Sequence, residues 1–225
     1  MLGRLSVGPL GENVYVLPSR GPGGQEGRCV LVDPGDEAAR ILSFLDSRGL
    51  KPDLVVLSHG HLDHSAAIPE LFAAYAARGG SPGLAIHALD ASYLGEGGEA
   101  KNRSTFAAIR ALGFFKSYWR PLPAPTLLLE EGSLVPGTGF RVIHSPGHTA
   151  GSICLYDEAA GILVSGDTLF RDGIGRSDGP DSDGAALGRS IRRLMALPPS
   201  TEVLPGHGEP TTIGREAPSF SFGDD

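Results

Sequence analysis

Six consecutive residues, His59-Gly60-His61-Leu62-Asp63-His64, constrain this chain more than any other stretch. They follow Leu54-Val55-Val56-Leu57, a short apolar run that reads as a buried strand. Residues two apart on extended backbone point the same way, so His59 and His61 can face one metal ion. Asp63 and His64 fall where the chain turns into a helix, and there they can face a second ion close by. Imidazole and carboxylate donors in this mixture suit zinc, iron or manganese. Gly60 is expected to let the backbone bend tightly around the ions.

Matching pieces lie downstream. His148 sits in Ser145-Pro146-Gly147-His148-Thr149, His207 in Leu204-Pro205-Gly206-His207-Gly208, and Asp167 in Ser165-Gly166-Asp167-Thr168. Each stands at a strand end or in a loop beside a glycine, where a two-sheet scaffold gathers functional side chains. A single carboxylate placed between two ions can bridge them, the role expected for Asp167. His87 and His144 lie inside predicted strands, outside any glycine-flanked motif, and read as ordinary hydrogen-bonded histidines.

Around these motifs the pattern is α/β. Runs rich in β-branched residues, bounded by Gly and Pro, predict strands at 13–17, 28–33, 54–57, 85–87, 126–129, 140–144, 152–156, 162–165 and 201–204. Apolar residues at helical spacing predict helices at 37–48, 65–78 and 185–197. Pro69 must then lie in the first turn of its helix. Between 88 and 125 the pattern is weaker: one helix is expected at 104–115, then a loop around Tyr118-Trp119 that overhangs the site. Strands then helix, twice over, predicts two mixed sheets packed face to face with helices outside. That is a four-layer αβ/βα sandwich, expected as one domain over residues 1–225.

Composition narrows the partners. A formal charge of −7 argues against a general nucleic-acid binder, which needs a cationic face. No window approaches 18 apolar residues and the first ten lack a signal-like core, so no membrane segment is expected and a cytoplasmic location is. A small-molecule substrate remains. Cys29 and Cys154 lie inside apolar runs and are expected as buried free thiols.

Taken together, the stretch from Val7 to Tyr15, Val32-Asp33-Pro34-Gly35 and the four metal motifs resemble the metallo-β-lactamase-fold hydrolases over nearly the whole chain. The resemblance implies two divalent ions, zinc first, with iron or manganese as alternatives. It places one with His59, His61 and His148, and the other with Asp63, His64 and His207, with Asp167 between them. It also implies that Asp33 orients a ligand histidine from behind, and that Asp63 doubles as a catalytic group for the attacking water.

Within that family, Gly166 to Phe170, Ile174 to Asp178 and Pro205 to Glu216 resemble the small single-domain glyoxalase II-like branch, the hydroxyacylglutathione hydrolases. The implied reaction is hydrolysis of a small acyl thioester such as S-lactoylglutathione. Lactonase, phosphodiesterase and persulfide dioxygenase activities are the same-fold alternatives. Persulfide dioxygenases typically carry Pro-Ala-His-Asp-Tyr where this chain has Pro205-Gly206-His207-Gly208-Glu209, which favours hydrolysis. The likeness offers Arg176 as a substrate anchor; a salt bridge to Asp178 is the competing role.

Overall fold

The computed structural model describes residues 3–19 and 26–220. A six-stranded sheet forms first, in the order β1 (Gly3–Val7), β2 (Glu12–Pro18), β3 (Arg28–Val32), β4 (Lys51–Val56), β5 (Gly83–His87) and β6 (Leu127–Leu129). The strands from β1 to β3 pair antiparallel and those from β3 to β6 parallel. A five-stranded sheet follows, built from β7 (Arg141–His144), β8 (Ile153–Asp157), β9 (Ile162–Gly166), β12 (Glu202–Pro205) and β13 (Thr211–Thr212). Its order is β13-β12-β9-β8-β7, with β9 and β12 parallel. A hairpin of β10 (Leu169–Phe170) and β11 (Gly173–Ile174) lies between β9 and β12 in the chain.

Strand alternation builds the layers. Val30, Val32, Leu54 and Val56 face Leu155, Val164 and Leu204 between the sheets. Their neighbours Cys29, Leu31, Val55 and Leu57 point outward, against Ile41 and Leu45 of α1 (Ala38–Asp46) and Ile68 and Leu71 of α2 (Ile68–Ala77). On the far side Cys154, Leu163 and Val203 meet Leu187, Ile191 and Leu194 of α5 (Gly184–Met195). The result is the expected αβ/βα sandwich. Both cysteines are free and buried. Among the described residues no helix is long and apolar enough to cross a membrane.

Several elements differ from expectation. Strand β1 was not expected; it pairs with β2 over Gly3 to Val7. The helix expected at 65–78 starts at Ile68, because Leu62–His64 first makes a separate 3₁₀ turn; Pro69 does fall in its first turn. The single helix at 104–115 is two, α3 (Gly98–Ala108) and α4 (Leu112–Tyr118). Arg110, at φ 59°, breaks the run, since left-handed backbone cannot continue a right-handed helix. Tyr118 therefore ends α4 rather than forming a loop, and Trp119 packs beside Leu62 and Phe115. A last short helix, α6 (Ile213–Glu216), closes the described chain with a 3₁₀ turn.

Candidate metal centre

Four loops bring the predicted groups together, each leaving the C-terminal end of a strand: β4, β7, β9 and β12. After β4 the 3₁₀ turn buries Leu62 against Phe106 and Phe115, which leaves its neighbours His61 and Asp63 facing a cavity. His148, Asp167 and His207 line the same cavity, of about 520 Å³. His59 and His64 lie just beneath, 1 % and 0 % exposed. All seven predicted groups converge.

Hydrogen bonds decide which ring nitrogen each histidine presents. The Nδ1–H of His148 donates to the Arg176 carbonyl at 2.9 Å, and that of His207 to the Leu10 carbonyl at 3.0 Å. His64 Nδ1 lies 3.1 Å from Asp33 Oδ2 and donates to it. The Ser58 hydroxyl gives its proton to the same Asp33 oxygen at 2.6 Å, so it accepts from His59 Nδ1 at 3.1 Å. With the proton on Nδ1, the neutral form of each of these four rings presents its Nε2 lone pair to the centre.

Those lone pairs have no adequate protein partner. His61 Nδ1 sits 3.1 Å from His59 Nε2 and 3.0 Å from His148 Nε2, and one nitrogen can donate to only one of them. His64 Nε2 and Asp167 Oδ1, 3.4 Å apart, are buried without a hydrogen-bond partner. His207 Nε2 lies 3.4 Å from Asp63 Oδ2 and 3.7 Å from Asp167 Oδ2. Lone pairs turned on lone pairs repel unless a cation lies between them, and unpaired buried polar atoms are costly. The donor set fits metal ions. His59, His61 and His148 form one compact group; Asp63, His64 and His207 form another; Asp167 joins His59 and His64 in a third that links the two.

Electrostatics follow the same division. Burial, then the neighbouring imidazoles His64 and His61, hold His59 well below the ordinary imidazole range. Burial and then His148 push His61 down to about 3. Burial also opposes charge on His64, but the carboxylates of Asp167, Asp33 and Asp63 outweigh it and raise its pKa. Burial alone would raise Asp63 and Asp167; the surrounding histidines, His64 foremost, pull both below the usual carboxylate range.

Several supporting residues had no role in the sequence reading. Ser58 links Asp33 to His59, so Asp33 braces two ligand rings rather than one. Asp90 accepts from the Gly60 N–H at 2.9 Å, the Thr149 hydroxyl at 2.7 Å and the Gly151 N–H at 2.7 Å, tying the loop of His59 and His61 to that of His148. Asn13 donates to the Pro205 and Gly208 carbonyls at 3.0 and 2.8 Å and so frames His207. Nothing local marks Asp90; an Asn inside the apolar run of β2 is the one signal that could have singled out Asn13. Gly60 serves differently from expectation. Its backbone is not left-handed, but a Cβ there would enter the ring of Tyr93, so glycine is needed for close approach.

His87 and His144 stay outside the cluster. Their rings stack 4.1 Å apart; His87 Nδ1 accepts from Leu89 N–H and His144 Nε2 donates to the Ala150 carbonyl. Arg176 lines the cavity rim, yet its guanidinium is bonded to Asp178 at 3.0 and 3.1 Å. Of the two roles weighed for it, the salt bridge to Asp178 is formed. Tyr118 and Trp119 do not line the cavity; Phe106, Ile109 and Phe114 do.

Two facing mixed sheets with a His/Asp cluster across their strand ends define a metallo-hydrolase, an enzyme class. The chain belongs to the metallo-beta-lactamase superfamily, whose model matches residues 7–207. It is 32% identical over 202 residues to the hydroxyacylglutathione hydrolase GloC of Haemophilus influenzae, covering 88% of each chain. Among solved structures it is similar to TTHA1623 in a di-iron-bound form, at 37% identity, TM-score 0.80 and 96% coverage of both chains. It is also similar to the BLEG-1 B3 metallo-beta-lactamase, at 31% identity, TM-score 0.81 and coverage of 98% and 99%.

Proposed function

We propose that this protein hydrolyses acyl thioesters with two divalent ions held by His59, His61 and His148 on one side and Asp63, His64 and His207 on the other, bridged by Asp167. Zinc is the proposed ion; the di-iron neighbour makes iron the main competitor, with manganese third. Bound there, such a pair supplies Lewis acidity and lowers the pKa of water toward neutrality. The observation that carries the reading is the pair of buried, unpartnered atoms His64 Nε2 and Asp167 Oδ1 at the centre of seven converging groups.

The chain's own residues supply the rest. Asp63, 17 % exposed in its side chain and facing the cavity, accepts a hydrogen bond from the attacking water and orients it. Asp33, directly for His64 and through Ser58 for His59, keeps two rings from rotating. A thiol leaving group, with a pKa near 8.5, departs as thiolate with little help from a general acid. Arg176 is the proposed anchor for a carboxylate on the substrate, for which it must exchange Asp178.

S-lactoylglutathione is the first substrate to assay, because GloC is a hydroxyacylglutathione hydrolase. The experiment is elemental analysis coupled to steady-state assays on that compound, simple thioesters, lactones, phosphodiesters, a β-lactam and glutathione persulfide. Chelator-sensitive thioester hydrolysis with about two ions per chain is expected. Lactone or phosphodiester cleavage with no thioester turnover refutes the thioester reading alone. Oxygen consumption with the persulfide refutes hydrolysis.

A further inference from the structure

The cavity has two chemically opposed sides. Its floor is the histidine and aspartate cluster. One wall is Phe106, Ile109 and Phe114, from α3, α4 and the break between them. Leu10, Phe170 and Ile174 line the same cavity. Leu10 is 51 % and Ile174 40 % exposed, so large apolar side chains stand in water where a substrate enters. The wall is braced: Phe106 stacks on Phe114 at 5.4 Å, and Phe114 on Tyr118 at 4.3 Å. Leu62, inside the metal motif, packs on the same cluster, so the wall is fixed relative to the floor.

Charge points the same way. Among the described residues, Arg176 is the one Lys or Arg lining the cavity, and Asp178 already occupies it. Lys101, behind the wall, is paired with Asp181 at 2.6 Å. A carboxylate on the substrate reaches Arg176 only by displacing Asp178.

We propose that the Phe106–Ile109–Phe114 wall is an acyl-binding subsite, and that the preferred substrates carry an uncharged apolar acyl group, aryl or medium-chain, in place of the short polar lactoyl group. This rests on the thioester reading above. In the step itself the oxygen of water bonds to the acyl carbon and the C–S bond breaks with its electron pair going to sulfur. The products are a carboxylate, a thiol or thiolate, and the protons released from water.

The test uses the metal-loaded protein and a neutral thiol, N-acetylcysteamine, esterified with acetyl, butyryl, hexanoyl and phenylacetyl groups. kcat/KM should rise roughly threefold to fourfold per buried CH₂, and S-lactoylglutathione should fall below hexanoyl. Phe114, half-buried, is the probe. Phe114→Ser should cut the hexanoyl-to-acetyl ratio about tenfold, and Phe114→Leu should keep most of it. In parallel, calorimetry on ketone analogues, with CH₂ in place of sulfur, reads binding without turnover in metal-free and loaded protein. A flat acyl series in both readouts overturns the subsite. Graded binding of the ketones with no thioester turnover supports the wall and removes the thioester reading.

Discussion

Asp90→Asn tests whether one buried carboxylate sets the geometry of the site. Asp90 is 1 % exposed and sits on the 3₁₀ turn Ala88–Tyr93 after β5. Its Oδ2 accepts from Gly60 N–H and the Thr149 hydroxyl, its Oδ1 from Gly151 N–H. Asparagine keeps the shape but has one acceptor oxygen. In its better orientation the oxygen replaces Oδ2 and the amide nitrogen meets the Gly151 N–H, donor against donor. Losing a hydrogen bond to a charged group costs about 1.5–3 kcal/mol, and the two that remain weaken as the charge goes. Removing the charge also relieves the burial that raises the Asp90 pKa, which offsets part of that loss. The net expectation is about 2–3 kcal/mol, within the 5–15 kcal/mol of a typical domain, so the variant folds.

Urea unfolding of metal-free protein should show a lower midpoint with an unchanged slope. Competition with a chelator should show metal affinity reduced about tenfold to a hundredfold, the range for groups that orient ligands. The loss should concentrate on the ion held by His59, His61 and His148, because those are the loops Asp90 joins. Thr149→Val, which removes one of the three bonds, should fall between wild type and variant. A wild-type midpoint and wild-type metal affinity in Asp90→Asn would refute the reasoning.

Asp167→Ala should drop metal content to one per chain or less and abolish hydrolysis, whereas His144→Ala should keep the wild-type metal content; equal loss in both would show the histidines wrongly sorted. Gly60→Ala should destabilise the protein by about 1–3 kcal/mol, read by thermal melting, because the Tyr93 ring it would strike is 1 % exposed and pinned by Asp181 at 2.6 Å. Burial, then the charge of His144, lowers the His87 pKa to about 4, with Glu131 partly opposing. A histidine depressed in the folded state contributes stability that is complete above the unfolded value near 6.5 and is lost as pH falls from there toward 4. His87→Phe should therefore flatten the acid side of the stability curve of metal-free protein between those values; an unchanged slope would show that His87 protonates freely in the fold.

The ligands were legible and their supports were not, for a physical reason. A metal donor set is written in short stretches, since His59, His61, Asp63 and His64 must leave one strand end together, and glycines must flank the loops that cross it. The groups that orient them act on backbone atoms far away in the chain: Asn13 on Pro205, Asp90 on Gly151, Arg176 on His148 through its carbonyl rather than its guanidinium. Such a partner carries no local pattern. The sheets were readable because β3, β4 and β9 each contain a short unbroken apolar run, at 29–32, 54–56 and 162–164, but those runs conceal which face is which: Val30 and Cys29 look alike in sequence and point into different layers. The α3–α4 region was misjudged because α3 is mostly polar and its partner begins only after the left-handed Arg110. That region supplies the aromatic wall of the cavity. The converging cluster is thus encoded in its motifs, whereas the aromatic lining of the cavity is encoded in the segment whose pattern is weakest. Exchanging residues 98–118 between relatives should accordingly move acyl preference and leave the metal content in place.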